Sequence, residues 1–175
     1  LAIAKALVDA GSKVAITGRD RARVTAAAKA INAHAIAADV SSEEDVTRTY
    51  REFFEKFGHL DILVNSAGFG LRAPLVEMSR AKFDAVFQTN VTGTMLMSRE
   101  AARHFIERKS GNIINLGSTA ALRGAPNGTA YYASKFAVRG MTECWRTELR
   151  QHNVRVFLVN PSEVLTNFAA NAGFG

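Results

Sequence analysis

Cysteine occurs once in 175 residues, at Cys144, so no disulfide can form within the chain. That excludes a scaffold held by disulfide staples and suits a reducing compartment. The helical spacing around Cys144 and Trp145 predicts a buried or half-buried thiol that packs as a small apolar group. No apolar run approaches the ~20 residues that cross a bilayer, which excludes a transmembrane helix. A charged-then-apolar signal segment is missing as well, so a cytoplasmic protein is expected. Linker-like, repeated and low-complexity stretches are equally lacking.

A dense cationic cluster is also absent. Lys plus Arg number 22 against 16 Asp plus Glu, a net charge of +6, and such a surplus draws anions. The cations (Arg19, Arg21, Arg23, Lys56, Arg103, Arg108, Arg150) are scattered and not interleaved with aromatics, which argues against nucleic acid. A phosphorylated small ligand fits better. No metal site is expected.

What the chain does contain is a core-forming composition, 47% hydrophobic and 22% charged, in a length that suits one domain spanning residues 1–175. Five apolar, β-branched runs recur: KVAIT (13–17), AHAIAA (33–38), LDILVN (60–65), NIINLGS (112–118) and VRVFLVN (154–160). Helical spacing separates them at 43–57, 79–108 and 131–152. Ser41 with Glu44 reads as a capping box opening the first of these, and Gly58 as its stop. Strands alternating with helices predict α/β architecture, a doubly wound parallel sheet covered on both faces. LAIAKALVDAG (1–11) reads as a helix ending at Gly11, and AANAGFG ends the chain without a covering helix. The expectation is a native protein whose first strand with its glycine-rich turn, and whose C-terminal part, are missing here.

Ligands of such sheets bind beyond the carboxyl ends of the strands. The runs end in TGRD, DVS, NSAG, GSTA and NPSEV, each with glycine or a small hydroxyl residue that admits close approach. After the first run, Gly18 offers no carboxylate for a ribose 2′-hydroxyl, whereas Arg19 presents a fork suited to a 2′-phosphate. Asp20 is expected to cap the helix beginning near Arg21. The stretch YYASK sets Tyr131 and Lys135 at i, i+4 and Tyr132 and Lys135 at i, i+3, so helical geometry alone chooses neither tyrosine. An ammonium within ~4–6 Å of a phenol favours phenolate and lowers its pKa from about 10. A hydroxyl from another loop could hold a carbonyl oxygen against that phenol, with Ser118 the natural donor and Thr119 its rival.

NSAG (65–68), NVTG (90–93), Ser118 and YYASK together resemble the short-chain dehydrogenase/reductase family, in its 3-oxoacyl-carrier-protein-reductase-like branch. The family's serine precedes its tyrosine by about thirteen residues, and Tyr131 stands thirteen after Ser118, so the resemblance selects Tyr131. It implies a Rossmann-like fold and an NADP(H)-dependent oxidoreductase moving hydride between nicotinamide and a carbonyl or hydroxyl carbon, for a 3-oxoacyl-type or similar ketone. By the same resemblance Tyr131 donates the proton and Lys135 lowers its pKa and holds the nicotinamide ribose. Ser118 polarises the carbonyl, and Asn90 supports a water relay to Lys135. The resemblance further assigns Asp39 and Val40 to adenine, Arg19 to the 2′-phosphate, and Asn65, Ala67 and Gly68 to the middle of the cofactor. Pro161 and Thr166 fall on the nicotinamide side. It implies a homotetramer or homodimer built through helices at about 92–108 and 131–150. Departures are the absent glycine-rich turn, Ser66 in place of a second asparagine, and Ser162 after Pro161 where glycine is usual. The alternatives are an NAD(H)-dependent sugar, polyol or steroid dehydrogenase and, in another class, a non-catalytic dinucleotide-binding regulatory module.

Overall fold

Several of the α-helices begin where a side chain takes up an orphan backbone donor. In the computed structural model, which describes residues 1–162 with Val164 and Phe168, Asp20 accepts a hydrogen bond from the Arg23 amide at 2.9 Å and opens α2 (Arg21–Ala30). α3 (Glu43–Phe57) is opened by Ser42, whose hydroxyl accepts from the Asp45 amide at 3.3 Å. This corrects the expected Ser41–Glu44 box. The Ser41 hydroxyl is drawn away to the Asp39 carboxylate at 2.7 Å, and the neighbouring serine takes the cap. Gly58 stops α3 as expected, at φ +78°, a conformation that favours glycine.

The chain forms two compact units, Leu1–His59 and Leu60–Gly175. In the first, α1 (Ala2–Asp9) precedes β1 (Ala15–Gly18), and α2 crosses over to β2 (His34–Ala37). The two strands pair in parallel, from Ala15 opposite His34 to Gly18 opposite Ala37. Val24 and Ala28 on α2, Ile36 on β2 and Val46 and Tyr50 on α3 are buried.

In the second unit β3 (Ile62–Asn65), β4 (Gly111–Leu116) and β5 (Val154–Val159) make a parallel sheet in that order, with β4 central. The register runs Asn65 to Asn115 on one side of β4 and Leu116 to Val159 on the other. The expected helix over 79–108 divides into α4 (Arg80–Phe87), a π-helical turn at Gln88–Gly93 and α5 (Thr94–Arg108). α6 (Thr129–Leu149) connects β4 to β5. Alternating strands and helices with parallel pairing give a Rossmann-like α/β fold, as the sequence predicts.

The interior of the second unit carries polar groups that satisfy one another. Asn65 donates to Ser98 Oγ and Asn115 Oδ1, both at 2.8 Å, and Asn115 donates to Thr142 Oγ1 at 2.9 Å. The Thr142 hydroxyl in turn donates to the Val138 carbonyl at 2.7 Å. Buried amides cost little when paired so completely. Cys144, expected inside or half inside, is exposed on α6. Thr142, two residues earlier, is on the buried side, and two residues of helix turn the thiol away from it. Among the described residues no helix is long and apolar enough to cross a membrane.

Gly111 opens β4 against the fully buried ring of Phe105, whose Cγ would stand 2.1 Å from any added Cβ. Gly111→Ala is expected to destabilise the fold by about 1–3 kcal/mol, the usual penalty of overpacking. Thermal unfolding checks this against Gly124→Ala, where an added methyl meets nothing within 4 Å and Tm should hold.

Candidate active site

Parallel strands deliver their carboxyl ends to one edge, and in the second unit that edge gathers three turns: Ser66–Phe69 after β3, Gly117–Ser118 after β4 and Asn160–Pro161 after β5. The last two are laced together. Gly117 donates to the Val159 carbonyl at 2.8 Å and Thr119 to the Pro161 carbonyl at 3.1 Å. Asn160 Oδ1 accepts from the Ser118 amide at 3.1 Å and lies where a Cβ on residue 117 would come within 2.1 Å, so only glycine fits at that point. Asn160 therefore holds Ser118 in place, a role that reading strand ends did not assign to it. Its position one residue past β5 was the available signal.

α6 brings Tyr131 and Lys135 to the same edge. Each is only 8% exposed. The Tyr131 phenol is hydrogen-bonded to the Ser118 hydroxyl. Lys135 Nζ stands 5.7 Å from the centre of the Tyr131 ring and donates to the Leu116 carbonyl, at the end of β4, at 2.7 Å. Tyr132 is only half-buried. Its ring covers Gly128, where a Cβ would fall 2.4 Å from it, and meets Tyr131 edge-on at 6.0 Å. Of the two candidate tyrosines, Tyr131 is the one in contact with the serine. Phe168 packs on its ring at 5.6 Å.

The electrostatics reverse one expectation. Burial pushes the Tyr131 phenol above its ordinary value, against the Ser118 hydrogen bond and with a smaller upward push from Tyr132. Lys135 does not make it acidic. The same desolvation lowers Lys135 itself, from 10.5 to about 8, because the ammonium too is less stable away from water.

Asn90, in the π-helical turn, is buried, and its whole amide is in use: Nδ2 donates to the Phe69 carbonyl and to Ser134 Oγ, and Oδ1 accepts from the Phe69 amide, each at 3.0 Å. The side chain grips the Ser66–Phe69 turn, and no bond joins it to Lys135. Asn65 likewise spends both amide protons inside the unit, which leaves its backbone at the strand end. Ser66, Ala67 and Gly68 are exposed, and a Cβ at Gly68 would come within 3.0 Å of Asn90 Oδ1.

In the first unit, Arg19 is exposed directly after β1. Asp39, after β2, accepts from both the amide and the hydroxyl of Ser41, at 2.9 and 2.7 Å, and Val40 follows it. The Ser41 hydroxyl holds the Asp39 carboxyl below its usual range, with the Ser41 amide and the charge of Arg19 adding to the effect and burial opposing it. Pro161 lies in the turn after β5, and Thr166 lies outside the described residues. Among the described residues no group of three or more side chains could hold a metal ion.

The depressed lysine makes a stability prediction. Between about 8 and 10.5 the unfolded chain keeps the Lys135 proton that the folded chain has lost, so this residue's contribution to stability rises with pH across that window. Denaturant unfolding of wild type and Lys135→Met at several pH values should show the difference moving in favour of wild type as pH climbs from 8 to 10.5. A constant difference would contradict the burial of a titrating ammonium.

The geometry is matched by known proteins. The short chain dehydrogenase family model matches residues 1–173. A 3-oxoacyl-(acyl-carrier-protein) reductase of Aquifex aeolicus is 32% identical, over 97% of this chain and 71% of its own. The crystal structure of 3-ketoacyl-(acyl-carrier-protein) reductase from Brucella melitensis complexed with NADH superposes with a TM-score of 0.93 at 35% identity, covering 97% of this chain and 72% of that one. A gluconate 5-dehydrogenase from Burkholderia cenocepacia in complex with NADP and tartrate gives a TM-score of 0.87 at 27% identity, over 95% of this chain and 68% of that one. This chain belongs to the short-chain dehydrogenase family of oxidoreductases, with 3-oxoacyl reductases among its relatives.

Proposed function

We propose that the protein is an NADP(H)-dependent oxidoreductase that interconverts a carbonyl and a hydroxyl on a small molecule, a 3-oxoacyl-type or similar ketone. The observation that carries this reading is the Ser118 hydroxyl on the Tyr131 phenol, with the buried ammonium of Lys135 behind the ring. A binding-only module has no use for that arrangement. The residues present fit a nicotinamide dinucleotide. Lys135 commits one donor to Leu116 and is built to make three bonds. Ala67 and Gly68 are exposed and open to a ligand, while the missing Cβ at Gly68 leaves room for the Asn90 amide that holds this turn. When bound, the dinucleotide supplies the hydride.

The chain supplies the proton and the geometry. Ser118 and Tyr131 donate hydrogen bonds to the carbonyl oxygen, and as negative charge builds there Tyr131 gives up its proton. A phenol held above its ordinary pKa is fully protonated at neutral pH, the state that reduction requires. Lys135 holds ribose hydroxyls, and Asn90 keeps the Ser66–Phe69 turn in place beside them. In this reading Arg19 takes a 2′-phosphate, Asp39 and Val40 meet adenine, the Asn65 backbone lines the middle of the cofactor, and Pro161 and Thr166 flank the nicotinamide. The working form is a cytoplasmic homotetramer or homodimer.

Turnover of a ketone panel tests the chemistry. Tyr131→Phe should lose about 10²–10⁴-fold in kcat, the usual worth of a general acid, and equal rates in both proteins would remove the catalytic assignment. Arg19→Asp tests the cofactor. It should cost about 10–100-fold in kcat/KM with NADPH, as loss of a charge-assisted bond does, and far less with NADH. An NADPH preference unmoved by the substitution would remove Arg19 from the cofactor site, and a preference for NADH in the wild-type chain would point instead to an NAD(H)-dependent sugar, polyol or steroid dehydrogenase.

A further inference from the structure

Ser134 belongs to none of the roles above, yet it is fully buried and makes two bonds of opposite sense. Its hydroxyl accepts from Asn90 Nδ2 at 3.0 Å and donates to the Tyr131 carbonyl at 2.7 Å. Asn90 in turn holds both the N–H and the C=O of Phe69. One unbroken chain of hydrogen bonds thus runs from the Ser66–Phe69 turn, through Asn90 and Ser134, to the backbone of the residue that carries the phenol.

Helix formation does not call for a hydroxyl at this position. Alanine has the better helix propensity, and the Tyr131 carbonyl lies inside α6, where the backbone supplies a partner four residues on. A serine bonded back onto its own helix gains little by itself and slightly destabilises the helix. What it provides is an acceptor, at a fixed height on α6, for an amide proton of Asn90 that has no access to water. Thr142 repeats the device two turns later, bonded back to Val138 and accepting from Asn115, where it fastens α6 to β4. Ser134 fastens the same helix to the π-helical turn.

We infer that Ser134 is a positioning residue, which sets the spacing between the Ser66–Phe69 turn and the Tyr131 phenol. The inference rests on the proposed function, in which the dinucleotide lies along that turn and must meet a carbonyl held by Tyr131. Ser134→Ala leaves the phenol, Ser118 and Lys135 untouched and frees one Asn90 proton from its acceptor. The turn and the helix then shift independently.

The test uses the full chain with Ser134→Ala, and with Ser134→Thr to restore the hydroxyl. In Ser134→Ala, kcat should fall about 10–100-fold, the scale set by misplacement of reacting groups by about 1 Å, while KM for the ketone stays within about threefold. In the nucleotide-free protein the Phe69 amide should exchange its proton with solvent about tenfold faster, as a bond held by a loosened partner opens more often. A purely structural serine would lower Tm and leave kcat well below Tm unchanged. Wild-type kcat in Ser134→Ala, or unchanged exchange at Phe69, overturns the inference. Should the wild-type chain reduce no ketone with either nucleotide, the proposed function fails instead, and Phe69 exchange alone then decides whether Ser134 ties the two segments. Recovery of both kcat and exchange protection in Ser134→Thr would identify the hydroxyl as the cause.

Discussion

The hydrogen bond from the Lys135 ammonium to the Leu116 carbonyl joins the end of the central strand to the helix that carries the phenol, and the site's geometry follows from it. A lysine this deeply buried must find partners for its charge or give it up. With its head fixed at the end of β4, the rotation of α6 about its own axis is fixed too. Tyr131, one turn earlier, is then held at the edge where Ser118 emerges. The enclosure that holds the lysine penalises charge on both residues, and so it lowers one pKa and raises the other. A neutral phenol hydrogen-bonded to a serine and backed by a titratable amine is the consequence.

Asparagines do much of the fastening around this bond. Asn65 and Asn115 connect β3, β4 and α6, Asn90 grips the turn after β3, and Asn160 seats the turn after β4. Asn90 and Asn160 sit outside the strands, where backbone groups leave the regular ladders and need partners, whereas Asn65 and Asn115 bond side chains across the sheet. The serine and threonine hydroxyls of α6 receive two of these amides. Among the described residues no buried side-chain nitrogen or oxygen lacks a partner. Networks satisfied to that degree define one register for the strands, because a slip by one residue would face each amide into the wrong layer.

Much of the fold was legible in the residue order. The five β-branched runs became the five strands to within two residues, Asp20 and Gly58 acted as cap and stop, and Tyr131 met Ser118. The misreadings are local competitions. Ser41 looked like a cap, but Asp39, two residues earlier, offered its hydroxyl a charged acceptor. The helix over 79–108 read as continuous because periodicity of apolar residues does not register one extra residue per turn, as the π-helical stretch contains. Helical spacing beside Trp145 suggests a buried or half-buried Cys144, yet a helix has an outer face and the thiol lies on it.

The sequence by itself determined the type, order and approximate limits of the elements, since propensity, caps and hydrophobic period act over one or two turns of chain. It also carried the spaced motifs that mark the family. Only the tertiary structure decided that burial outweighs the Ser118 hydrogen bond at Tyr131, that Asn90 is spent on Phe69 and Ser134, and that Asn160 presses on Gly117. These outcomes depend on solvent exclusion and on atoms from segments 21 to 44 residues apart, and no local pattern encodes either.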